Sequence, residues 1–173
     1  MASSTPYALP DGLFYLDAAG AQQYAATVTD VETVFSDTLN VPPSVAVDAW
    51  YKYVWFANAE EVSPGEGRGH VNHTRLMVKQ GIEEKIVAAG LPSKGDARGA
   101  VASVMYTITN PGKSPIAKYL ALVRFLPADN GKKTEVVWTV KLTAAGKVKT
   151  AMLVPVIQKT IGGGLKIPNE IHI

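Results

Sequence analysis

The stretch that decides the fold is KVKTAMLVPVIQKTIGGGLK, Lys147 to Lys166. It is long enough for several helical turns. Val154, Ile157, Ile161 and Leu165 recur on one side at helical spacing, and Val148, Met152 and Val156 on another. A helix lying on a surface shows one apolar stripe, whereas one that is apolar over most of its circumference is buried. The spacing therefore predicts a long helix enclosed by the rest of the chain. Pro155 removes a hydrogen bond from its middle and predicts a kink or a split, and Gly162 to Gly164 predict a loose last turn.

The segments before it read as what encloses it. Thr27, Thr29, Val31, Thr33 and Phe35 alternate with Val28, Asp30, Glu32, Val34 and Ser36, a period-two pattern of a strand. Asn40 to Ser44 ends it, with Ser44 as N-cap of a helix running to Asn58 through Val47, Trp50, Tyr51 and Val54. Ser63 to Gly69 is a glycine-dense loop. His70 to Val78 and Gly81 to Ala88 form a hairpin turning at Lys79-Gln80-Gly81. Gly90 to Gly99 is a loop, and Ala100 to Thr109 a strand closed by Asn110-Pro111-Gly112. Ala117 to Leu126 and Thr134 to Leu142 make a second hairpin, with Asn130-Gly131 at its tip. The order is strand, helix, antiparallel meander, long helix: an α+β domain with one helix packed on a curved sheet.

Composition narrows the function classes. The chain has 173 residues, 47% hydrophobic and 18% charged, enough for one domain with a sizeable core. Residues 1–23 read as a partly ordered arm and residues 24–173 as one ligand-binding domain. A net charge of +2 without a basic stripe argues against nucleic acid as partner. The absence of cysteine excludes disulfides, thiolate nucleophiles and zinc–thiolate sites. No apolar run reaches the length of a membrane span, and the N-terminus lacks the features of a signal peptide, so the expectation is a cytoplasmic protein. His70 and His73 fall on opposite faces of one strand with no carboxylate cluster beside them, so no metal site is expected. No nucleotide fingerprint is present either, so no cofactor is expected.

Taken together, these segments resemble the helix-grip superfamily, which includes the birch pollen allergens, START lipid-transfer domains and bacterial polyketide cyclases. The resemblance rests on Val41-Pro42-Pro43-Ser44 with Val47 and Trp50, on Gly65-Glu66-Gly67-Arg68-Gly69, and on Ile82-Glu83-Glu84-Lys85-Ile86. Tyr106-Thr107-Ile108, Tyr119-Leu120-Ala121 and Val136-Val137-Trp138 continue it. It covers roughly Tyr24 to Lys166. Asn72 stands where the family often has Arg or Lys, and Pro155 with three glycines interrupts a helix that is normally unbroken. The resemblance implies a sheet of six to seven antiparallel strands wrapped around the C-terminal helix, with a cavity between.

Alternation along each strand assigns side chains to that cavity. His70, Asn72, Thr74 and Leu76 are expected to face in, and Val71, His73, Arg75 and Met77 out. Ile82, Glu84 and Ile86 share an inner face. Glu84 would then be a carboxylate in an apolar concavity, either an acid or base with a raised pKa or a partner of Arg75 or Lys85 at the mouth. Ala102, Val104 and Tyr106 face in from the next strand, followed by Tyr119, Ala121, Val123 and Phe125, then Val136, Trp138, Val140 and Leu142. Val154, Ile157 and Ile161 line the helix side.

With these residues in place, the resemblance implies a cofactor-free enzyme of polyketide cyclase or dehydratase type. It would act on a hydrophobic, oxygenated polyketide, aromatic or terpenoid intermediate. Glu84 or His70 would move a proton, and Tyr106 and Tyr119 would hold a carbonyl. The alternative is a non-catalytic carrier or sensor of such a small hydrophobic molecule. A further alternative is an interaction protein using Tyr51, Tyr53, Trp55 and Phe56. The expected state is a monomer or homodimer.

Overall fold

The computed structural model describes residues 7–8, 15–16, 18–90 and 102–169. Among the described residues, strands β1 (Tyr7–Ala8) and β2 (Tyr15–Leu16) form a separate two-stranded ribbon, followed by helix α1 (Ala18–Ala26). Then come β3 (Val31–Leu39), α2 (Pro43–Trp50) with a π-helical turn over Tyr51–Trp55, and β4 (Ala59–Ser63). The strands β5 (Thr74–Met77), β6 (Ile82–Gly90), β7 (Ala102–Asn110), β8 (Ile116–Ala128) and β9 (Lys133–Ala144) precede α3 (Thr150–Asn169). Seven strands form one antiparallel sheet in the order β3-β9-β8-β7-β6-β5-β4. The α+β architecture is thus the one expected. Apart from Gly90, which ends β6, the loop read at 90–99 lies outside the described residues.

Local chemistry accounts for most of the boundaries. Helix α2 opens at Pro43, one residue before the N-cap read at Ser44; Pro42 caps it without a side-chain hydrogen bond. A proline suits the first helical turn because the N–H it lacks has no partner there in any case. The β8–β9 hairpin turns through Asp129, Asn130 and Gly131, all at positive φ. At the β7–β8 turn Gly112 has φ +57, and a Cβ there would lie 2.4 Å from the carbonyl oxygen of Gly81. That close approach requires glycine.

Several elements differ from the reading of the sequence: β5 begins at Thr74 rather than His70, and the helix expected to reach Asn58 ends in the π-helical turn at Trp55. Tyr24 to Ala26 belong to a helix, and the strand begins only at Val31. The run AAGAQQYAA is rich in the best helix former, and the β-branched residues after it set a strand pattern that starts too early. Strand β4 was not anticipated; its AEEVS sequence is short, charged and at the sheet edge, where alternation carries little signal.

The core lies between the concave face of the sheet, α2 and α3. Trp50 sits at its centre, against Trp55, Tyr106, Phe125 and Trp138. Helix α3 runs from Thr150 through Pro155 to Asn169 as one assigned helix. Ile161 is buried and Leu153 and Ile157 pack on the core, but Met152 and Val156 are 67% and 60% exposed. The helix is therefore not an enclosed rod. It closes one side of an open sheet whose edge strands, β3 and β4, do not meet, and its second apolar stripe looks outward.

The convex face has its own small core of Tyr24, Ala88, Met105, Leu120 and Leu122. A register shift between Ile86 and Ala88 turns the strand so that Ile86 joins the concave core and Ala88 the convex one.

Candidate functional site

A cavity of about 360 Å³ lies between the concave sheet, the π-helical turn and α3. That is within the size range of small-molecule sites. Its walls are mostly apolar, with Val54, Ile82, Ile108, Leu153 and Ile157 among them, and polar groups converge from Arg75, Glu84, Tyr106 and Tyr119.

The polar centre follows from strand register. The β5–β6 hairpin pairs Arg75 directly with Glu84. Arg75 Nε donates to Glu84 Oε2 at 2.9 Å and Nη2 to the same oxygen at 2.5 Å. Nη1 donates to the carbonyls of Val54 and Trp55, each at 2.6 Å, and the guanidinium lies 4.2 Å over the Trp55 ring. Both members of the pair are buried. Burial pushes the Glu84 carboxyl above its ordinary value, while the charge and hydrogen bonds of Arg75 pull the other way.

The second polar group comes from β7, β8 and β9. Trp138 Nε1 donates to the Tyr106 hydroxyl at 3.1 Å, and the Tyr106 and Tyr119 ring centroids lie 6.0 Å apart. Both phenols are held well above the usual value, first by burial. Each also feels the Glu84 charge, which puts the two polar groups in one electrostatic neighbourhood.

Of the residues singled out in the sequence, Glu84, Tyr106, Tyr119, Trp138, Ile157 and Ile161 line this cavity together. Val104 and Ala121 are buried in the core but do not line it, and half-buried Val154 does not reach it. The inner face assigned to His70, Asn72, Thr74 and Leu76 is reversed. His70 is exposed, Asn72 is an exposed turn residue at φ +66, and the Thr74 hydroxyl donates to the Asn72 carbonyl. Arg75 and Met77 face the cavity instead. The strand begins only at Thr74, so alternation counted from His70 ran through a turn.

His73 is buried behind this site. Trp55 Nε1 donates to its Nδ1 at 2.8 Å, so Nε2 carries the hydrogen and donates to Glu61 Oε2 at 3.0 Å. His73 thus braces the indole that carries Arg75. Among the described residues no three His, Asp or Glu side chains are grouped as metal ligands. No helix among them is long and apolar enough to cross a membrane.

The ion pair of Glu84 with Arg75, one of the alternatives read from the sequence, is present, with Arg75 on the cavity face rather than the outer one. Its signal was available: symmetry about the Lys79–Gln80 bond of the expected hairpin places Arg75 opposite Glu84. Tyr53, Val54 and Leu153 also line the cavity and were not assigned to it.

No family model matches the chain, and no curated protein sequence matches it. Solved structures do. Ara h 8.0201 is similar at 16% identity, over 80% of this chain and 94% of that one, with a TM-score of 0.58. Norcoclaurine synthase from Thalictrum flavum is similar at 12% identity, over 84% of this chain and 87% of that one, with a TM-score of 0.54. A START superfamily protein from Mycobacterium smegmatis is similar at 10% identity, over 80% and 94% of the two chains, with a TM-score of 0.54. At these identities the likeness is one of fold, and fold alone does not assign an activity. A seven-stranded antiparallel sheet closed by a C-terminal helix, matched across most of three such structures, gives this chain the helix-grip fold.

Proposed function

We propose that this chain binds one small, largely apolar molecule in the cavity between its sheet and α3. The observation that carries this reading is the cavity itself: about 360 Å³ of space with apolar walls and a few convergent polar groups. A filled core would have closed this space, because interiors pack to crystal-like density. The test is native mass spectrometry of the purified protein. A retained small molecule at one per chain, released on unfolding, is the expected result. A bare chain into which no apolar dye can be titrated contradicts the reading.

Catalysis of the cyclase or dehydratase kind is the second reading, and one observation favours it. Glu84 is a buried carboxyl with a raised pKa facing the cavity, where a proton acceptor of a bound substrate would stand. Tyr106 and Tyr119 would then orient a carbonyl oxygen. His70, exposed and outside the cavity, has no part in it. The two readings separate on Glu84→Gln, assayed on whichever compound the cavity retains. An enzyme loses on the order of a hundredfold or more in kcat with binding nearly intact; a carrier shows no turnover to lose.

A further inference from the structure

The donors and acceptors facing the cavity define the polar group it accepts. An arginine side chain has five N–H donors and no acceptor. Those of Arg75 are engaged: Nε and Nη2 on Glu84 Oε2, Nη1 on the carbonyls of Val54 and Trp55, and Nη2 also near Met77 Sδ at 3.6 Å. Arg75 therefore has no strong donor left for an anion entering the cavity. Glu84 is different. Both Arg75 donors land on Oε2, and Oε1 has no hydrogen bond from the described residues. The Tyr106 hydroxyl accepts from Trp138, and the Tyr119 hydroxyl donates to none of the described residues, so its O–H is open to donate. The buried polar equipment open to a ligand is thus one carboxylate oxygen that accepts and a phenol that donates; the other polar lining residues, Tyr53, Asn58, Gln80, Ser114 and Thr160, are half-buried or exposed.

Building on the binding reading above, we infer that the ligand carries a hydroxyl, alcohol or phenol, which engages Glu84 and Tyr119, and that the cavity discriminates against carboxylates. A hydroxyl donates to Oε1 and accepts from Tyr119, so it satisfies both groups. A carboxylate accepts but cannot donate, and it brings a second negative charge beside Glu84 in a desolvated space. An ammonium donates but cannot accept, leaving the Tyr119 proton unmatched, and it enters with its own desolvation cost. Satisfying rather than orphaning a buried polar group is what sets selectivity at such a site.

Nile red, a neutral dye that brightens in apolar surroundings, reports occupancy of the cavity. Four competitors of one shape separate the chemistries near neutral pH: naphthalene, naphthol, naphthoate and naphthylmethylamine. Naphthol is expected to displace the dye at roughly tenfold lower concentration than either charged competitor, the equivalent of one charge-assisted hydrogen bond. In Tyr119→Phe the advantage of naphthol over naphthalene should shrink severalfold while Nile red still binds, which shows that the cavity is intact. Naphthoate or naphthylmethylamine displacing the dye as well as naphthol overturns the hydroxyl assignment and leaves the binding reading standing. Failure of Nile red to bind the wild-type chain overturns both.

Discussion

At the scale of single residues, the site rests on a charge pair that burial makes costly and geometry makes good. Removing Arg75 alone strands a carboxylate in the core. Arg75→Met should cost about 3–5 kcal/mol of unfolding free energy in urea titration, and adding Glu84→Leu should recover most of the loss, since an apolar pair needs no partner. The phenols give a second check. Burial raises the pKa of Tyr51 to about 12 and raises Tyr24, Tyr106 and Tyr119 as well. These groups keep their protons in the folded chain at pH values where the unfolded chain has released them. The folded state then binds more protons, so unfolding free energy falls as pH rises above about 10. Ultraviolet titration should show tyrosinate appearing in these residues together with unfolding; a smooth titration of all tyrosines in a folded chain would contradict their burial. Glu84, Tyr106 and Tyr119 were legible in the sequence because regular strands carry them, and period two then decides the face. Arg75 was legible as a partner of Glu84 but not as a cavity residue, because alternation counted from His70 runs through a turn before β5 begins at Thr74.

At the scale of elements, α1 and α3 carry the two features the sequence read least well. Helix α1 is held on the convex face by a buried lysine from β9. Lys141 Nζ donates to the carbonyls of Tyr24 and Thr27, at 2.6 and 3.0 Å, and lies 4.1 Å over the Tyr24 ring. A cation at a helix C-terminus satisfies carbonyls that have no partner within the helix. Lys141→Met should cost about 1–3 kcal/mol and raise amide exchange through residues 18–26 while the sheet stays protected. Uniform exchange across the chain would show that α1 is not a separate clamp. No local pattern marks Lys141 for this part, since its partners are more than a hundred residues away. Helix α3 was legible as a helix but not as a half-open one. Its two apolar stripes predicted full enclosure, yet the sheet supplies a surface for only one. Its first turn is tied down by Thr150, whose hydroxyl accepts from the Ala144 N–H and donates to Asp30. Ile161 is its one described side chain buried in the core, so Ile161→Ala should cost about 2–5 kcal/mol, read by denaturant unfolding.

At the scale of the whole molecule, the meander of strands β5 to β9 was readable because its tight turns announce themselves: Gln80-Gly81, Asn110-Pro111-Gly112, Asn130-Gly131. What no local signal conveys is the curvature that leaves a space rather than a filled core. That space is the central claim. Its most direct test is a Nile red titration of the wild-type chain beside Ile157→Trp, which places a bulky indole where α3 meets the cavity. The account predicts saturable binding at one dye per wild-type chain and loss of that binding in Ile157→Trp, with the circular dichroism of the two chains alike. Equal binding by both chains, or none by the wild type, would contradict it.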